Sequence, residues 1–150
     1  MTDTFKLMLA QLNPVVGDII GNIAKARTAW EAGRAAGADM VALTEMFVTG
    51  YQTQDLILKP AFVTAAISAV EALAVACADG PALGIGGPVR DGGRLYNGYY
   101  VLEGGRVHAR VLKHHLPNDA VFDEKRVFAS ADVHGPYVVK GVRIGTPICE

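Results

Sequence analysis

The order of elements in residues 5–43 narrows the fold more than any other feature of this chain. Phe5 to Leu12 alternates through KLMLAQL, which predicts a strand with one face more apolar than the other. Asn13, Pro14 and Gly17 then break the pattern. Asp18 through Ala36 predicts a helix: Ile19, Ile23, Ala26 and Trp30 recur at helical spacing, while Lys25, Arg27 and Arg34 fall elsewhere on its surface. Gly37 suits the C-terminal cap. Asp39 opens the run Met40-Val41-Ala42-Leu43, which is apolar without alternation, as in a strand buried on both faces. Two strands joined by a helix pair in parallel, so an α/β fold (α+β in some schemes) is expected.

The second half changes character. After Glu45, the stretch MFVTGYQTQDLILKP carries Gly50 and Pro60 and predicts a loop with one helical turn. A helix follows from Ala61 to Ala78. LGIGGPVR, RLYNGYYVLE and RVHARVLKH, separated by glycine pairs, predict three antiparallel strands. Residues 115–134 read as a polar loop. Tyr137–Val139 and Val142–Ile148 predict a last hairpin about a Lys140-Gly141 turn. Repeats, low-complexity tracts and linkers are absent from the 150 residues, which are expected to belong to one domain.

Charge and cysteine content exclude several functions. A net charge of −1 without a basic face gives no footprint for nucleic acid. Cys77 and Cys149 lack C-x-x-C spacing and form no disulfide framework, which favours a reducing, cytoplasmic setting. MTDTFKLMLAQLNP has neither the basic region nor the cleavage site of a signal peptide. Ala61–Cys77 is short for a membrane span and carries Thr64, Ser68 and Glu71, so it is expected in the core. His108, His114, His115 and His134 lack metal-ligand spacing, and His114 and His115 on one strand would face opposite sides. The glycines of LGIGGPV precede a proline rather than a helix, so they make no phosphate loop; close approach of two packed sheets accounts for them.

Three groups close apolar runs: Glu45, Lys113 and Cys149. Strand ends of α/β sheets are where ligand sites gather. A carboxylate, an amine and a thiol are also the parts of a cysteine amidase. Each alone has an ordinary explanation. A strand cysteine is most often a small buried hydrophobe, as is expected for Cys77, and an edge lysine is usually a solvated charge.

The flanking words add to this. LTEMFVTGY, LKHHLPNDAVFDEKRVF and RIGTPICE, in that order, resemble the glutamate, lysine and cysteine motifs of the nitrilase (carbon–nitrogen hydrolase) superfamily. Coverage runs from AQLNPVVGDIIGN to the last residue. GYQTQDLIL and LPNDAVFDEKRVF are most similar to the glutaminase domains of glutamine-dependent NAD+ synthetases. Thr44, Gln52-Thr53-Gln54 and Asp119 depart from that pattern, where proline, Pro-Pro-Glu and tyrosine are usual.

The resemblance implies a partial α-β-β-α sandwich, with residues 1–150 its N-terminal portion. It implies Glu45 as general base, Lys113 as oxyanion stabiliser, Cys149 as nucleophile, Glu124 as a supporting carboxylate and Tyr51 as a wall of the substrate pocket. The backbone N–H after Cys149 would be a second oxyanion donor. Glutamine would be the substrate, and the hydrolytic half would need no cofactor or metal. ATP and Mg2+ are expected only in a downstream synthetase domain, and a homo-oligomer is expected. Two alternatives stay open: a stand-alone amidase or carbamoylase, and an inactive fragment.

Overall fold

The computed structural model describes residues 4–149. Among them, a five-stranded sheet runs in the order β1 (Leu7–Leu9), β2 (Met40–Ala42), β3 (Ala82–Asp91), β4 (Arg94–Glu103), β5 (Arg106–Leu112). The first three strands are parallel and the last three antiparallel, as the two halves of the sequence predict. A second sheet is the hairpin of β6 (Tyr137–Val139) and β7 (Val142–Ile144), turning at Lys140-Gly141.

Helices α1 (Ile19–Ala35) and α2 (Pro60–Ala76) cover one face of the large sheet. Asp18 caps α1 by accepting from the Gly21 N–H at 2.9 Å, and Gly37 takes the left-handed φ of +68° just beyond its end. Trp30 packs with Val41, Leu83, Leu73 and Leu102 in this layer, and its indole N–H donates to the Pro81 carbonyl at 2.8 Å. Buried Cys77 belongs to the same layer, as expected. Residues one step along each strand face the other way. Met40, Ala82, Tyr99 and Val101 pack there against Tyr137 and Val139 of the hairpin and against Ile148. The result is a helix layer, a five-stranded sheet and a second sheet, three layers of an α-β-β-α sandwich. Among the described residues no helix is long and apolar enough to cross a membrane.

Four expectations need correction. The first strand is Leu7–Leu9 rather than Phe5–Leu12; Met8 packs toward the helices, while Leu7 and Leu9, on the opposite face of this edge strand, are exposed. The last strand stops at Ile144 rather than Ile148: Gly145 offers no side chain to pack and Pro147 has no N–H to donate. Residues 115–134 contain a short helix, α3 (Glu124–Val127). His114 and His115 lie past the end of β5, so strand alternation does not apply; their rings meet edge to face with centroids 4.5 Å apart.

At Gly86 of β3 the cause differs from the one expected. Gly86 lies under the turn that carries Glu45. Its N–H donates to the Thr44 carbonyl at 3.2 Å, and its carbonyl accepts from the Val48 N–H at 3.0 Å. A Cβ on Gly86 would stand 2.3 Å from the Met46 nitrogen and 2.6 Å from the Thr44 oxygen. Backbone rather than a second sheet presses on this position. Gly86→Ala is therefore expected to cost about 1–3 kcal/mol, as overpacking typically does, and to displace Glu45. A denaturant midpoint equal to the parent's would contradict this.

Candidate active site

Three segments deliver their side chains to one buried point at the ends of β2 and β5. Glu45 sits three residues past β2, in a turn held to β3 by the Leu43 N–H bond to Gly84 and the Gly86 N–H bond to Thr44. Lys113 is the first residue after β5, and its backbone N–H continues the ladder by donating to the Asn97 carbonyl at 2.8 Å. Glu124 opens α3, and its N–H donates to the Pro117 carbonyl at 3.2 Å. The loop bearing Glu124 is tied to the loop bearing Tyr51 by Gln52, whose amide donates to the Val121 carbonyl at 2.7 Å. Arg126 adds a tether by pairing with Asp55 at 2.7 Å.

The Lys113 ammonium, 2% exposed, donates to Glu45 Oε1 at 2.7 Å and to Glu124 Oε1 at 3.0 Å. The Tyr51 hydroxyl donates to Glu124 Oε1 at 2.8 Å. The structure thus brings Glu45, Lys113, Glu124 and Tyr51, four of the five residues singled out in the sequence, into one cluster. Burial alone would drive the Lys113 ammonium towards its neutral form. Hydrogen bonds and charge from Glu45 and Glu124 outweigh it, and hold the lysine above its ordinary pKa. Burial, then the bond to Glu124, pushes the Tyr51 phenol well above the usual tyrosine range, so it stays a donor. Tyr51 also lines a cavity of about 50 Å³ with Met46, Thr53, Glu124 and Phe128. A larger open depression of about 860 Å³ begins at the next residues, lined by His114, His115, Asp119, Lys125, Phe128 and Ser130 among others.

Cys149 is exposed and takes a left-handed φ of +61°. Among the described residues no hydrogen bond or ion pair joins it to the cluster. Its neighbour Ile148 is buried against Met40, Tyr99 and Val101. By strand alternation, Asn97 and Lys113 rise from the same sheet face as Tyr99 and Val111. Cys149 therefore leaves the protein on the side of the sheet that carries the cluster. The backbone N–H that follows it belongs to residue 150, outside the described residues.

One member of the cluster escapes the sequence reading. Asn97, fully buried on β4, donates from Nδ2 to Glu45 Oε1 at 2.7 Å and to Glu124 Oε2 at 3.4 Å. The available signal is a lone amide among the aromatic and glycine residues of RLYNGYYVLE. A buried amide in such a strand needs polar partners.

A mixed sheet between helices and a second sheet, with a charged site at its strand ends, defines a sandwich of the nitrilase type. Residues 6–150 match the family model described as carbon-nitrogen hydrolase, and the chain belongs to that family. The glutamine-dependent NAD(+) synthetase of Rhodobacter capsulatus is 59% identical over 150 residues, covering all of this chain and 27% of that protein. The corresponding synthetase of Synechocystis is 36% identical over 153 residues, with 97% of this chain and 27% of that protein covered. This chain thus spans about a quarter of the length of these curated relatives. The solved structure of glutamine-dependent NAD+ synthetase from Acinetobacter baumannii with ADP superposes with a TM-score of 0.90 at 32% identity, over 97% of this chain and 27% of that one. An amidase from Nesterenkonia sp. AN1, solved with acrylamide added at its active-site cysteine, shares the fold at TM-score 0.78 and 20% identity, over 93% of this chain and 55% of that one.

Proposed function

We propose that this chain is the N-terminal portion of a glutaminase domain that hydrolyses the amide of glutamine through a cysteine thioester. The observation that carries the reading is the Lys113 ammonium held between Glu45 and Glu124 in a member of this family. A free thiol is only a few per cent thiolate at neutral pH, so attack needs a base within reach. Glu45 accepts the Cys149 proton as sulfur adds to the amide carbon, and returns it to the departing ammonia. Such acid–base help is worth roughly 10²–10⁴-fold. Lys113 stabilises the tetrahedral oxyanion, while Glu124, itself held by the Tyr51 hydroxyl, fixes its ammonium. Water, deprotonated by Glu45, then cleaves the thioester to glutamate and frees the thiol.

The length and names of the relatives support a continuation of the domain and a synthetase domain beyond it. In that scheme the ammonia converts deamido-NAD+ to NAD+ at an ATP- and Mg2+-dependent site outside residues 1–150. The hydrolytic half uses no cofactor.

Thiol alkylation tests both the nucleophile and the substrate. In the intact protein, iodoacetamide is expected to modify Cys149, and glutamine at ten times its dissociation constant to slow this about tenfold by mass action. Cys77 provides an internal control, because burial pushes its thiol up to about 11. Protection by other amides but not by glutamine would favour a stand-alone amidase. No protection by any amide would overturn the assignment of Cys149.

A further inference from the structure

Asn97 occupies a position that the reaction above leaves unexplained. Two carboxylates share one ammonium, so the cluster carries an excess negative charge that pushes Glu45 and Glu124 apart. Asn97 is fully buried and points its amide nitrogen at both: Glu45 Oε1 at 2.7 Å and Glu124 Oε2 at 3.4 Å. Its backbone carbonyl receives the Lys113 N–H at 2.8 Å. One residue thus grips all three charged members. Its own Oδ1 is buried with no hydrogen-bond partner among the described residues. A rotated amide would give Oδ1 to two carboxylate oxygens, which offer no proton, so only the observed orientation is compatible with both neighbours.

The bonds to Glu45 are unevenly shared. Lys113 and Asn97 both donate to Oε1. Oε2 is left outside this network. A carboxylate held at one oxygen by two donors keeps its plane fixed and presents the other oxygen in a single direction. A buried amide loses more hydration than a leucine of similar volume, and the two bonds from Asn97 Nδ2 to the carboxylates offset that loss. Retaining an amide there is best explained by what its nitrogen does.

We propose that Asn97 is a positioning residue: by pinning Glu45 through Oε1 and holding Glu124 alongside, it aims Glu45 Oε2 for proton transfer with the nucleophile and the leaving ammonia. This rests on the glutaminase reading. The groups facing the Glu45 carboxylate in the cluster are the Lys113 ammonium, the Asn97 amide and, across the lysine, Glu124 with the Tyr51 hydroxyl.

Steady-state kinetics of ammonia release by intact Asn97→Leu protein test this. The kcat is expected to fall about 10–100-fold, the worth of a hydrogen bond to a charged group, with KM changed less than about threefold. The acidic limb of the kcat profile is expected to move to higher pH, because a carboxylate that loses a donor is more easily protonated. Loss of kcat with an unmoved limb, or an unchanged kcat, overturns the proposal. Should Asn97→Leu not fold, Asn97→Asp decides. It keeps the shape, adds a negative charge at neutral pH and can donate a proton once protonated. Partial recovery of kcat on acidification, relative to the parent, supports the role; no recovery overturns it. If Cys149→Ala is inactive while both Asn97 variants behave as the parent, this inference fails and the glutaminase reading survives.

Discussion

Cys149→Ala in the intact protein is expected to abolish ammonia release from glutamine, a fall on the order of 10⁵–10⁶-fold, as when a nucleophile is removed from other covalent catalysts. Stability should stay within about 0.5 kcal/mol of the parent, because the side chain is exposed and makes no hydrogen bond or ion pair among the described residues. The neighbour that anchors this segment, buried Ile148, is untouched. Cysteine already occupies left-handed backbone at φ +61°, and alanine meets a similar steric cost there. Activity and stability thus separate cleanly at this position. A further reading tests the two-site scheme. Under the proposed scheme the same variant, supplied with free ammonium and ATP, should still form NAD+ from deamido-NAD+, since only the ammonia source is lost. Glutamine-dependent release at the parent rate would remove Cys149 from the chemistry. Loss of ammonium-driven synthesis as well would point instead to a wider structural fault.

What the sequence makes legible here follows from how strongly each element is specified. The parallel-to-antiparallel switch is plain because Met40–Leu43 lacks alternation, whereas the later strands are separated by glycine pairs that only tight turns require. Helix α1 is marked at both ends, by Asp18 and Gly37. Glu45, Lys113, Glu124 and Tyr51 can be located through the words around them, but not their meeting. That depends on Pro117, Val121 and Asp55 tying one loop to another, contacts with no local signature. Asn97 is missed for the same reason. Its value lies in two carboxylates that are 27 and 52 positions away in the chain. Gly86 shows the limit from the other side: the glycine is visible, yet the backbone pressing on it comes from the Glu45 turn and appears only in three dimensions.

Lys113→Met should be the most damaging single change to stability. The methionine keeps the stem that crosses the sheet end, but removes the ammonium that donates to Glu45 at 2.7 Å and to Glu124 at 3.0 Å. Two partly or fully buried carboxylates then face each other with Asn97 and Tyr51 as their remaining donors among the described residues. Breaking a buried ion pair from one side costs about 3–5 kcal/mol, most of it the penalty for charge left unpaired. Turnover is expected to fall a further 10²–10³-fold through loss of an oxyanion donor. The two effects can be separated by adding Glu124→Gln: the double variant should regain much of the stability, because one buried charge has gone, and none of the activity. The pH dependence provides an independent check. In the folded protein the lysine titrates above its ordinary value, once the two carboxylates have outweighed burial. Its contribution is therefore complete below the unfolded lysine pKa of about 10.4, and is lost as pH rises through the higher folded value. Parent stability should fall in that alkaline range, while Lys113→Met, which lacks this ammonium, should give a flatter curve. Parallel curves for the two proteins above pH ~10 would mean that the ammonium does not hold the carboxylates together.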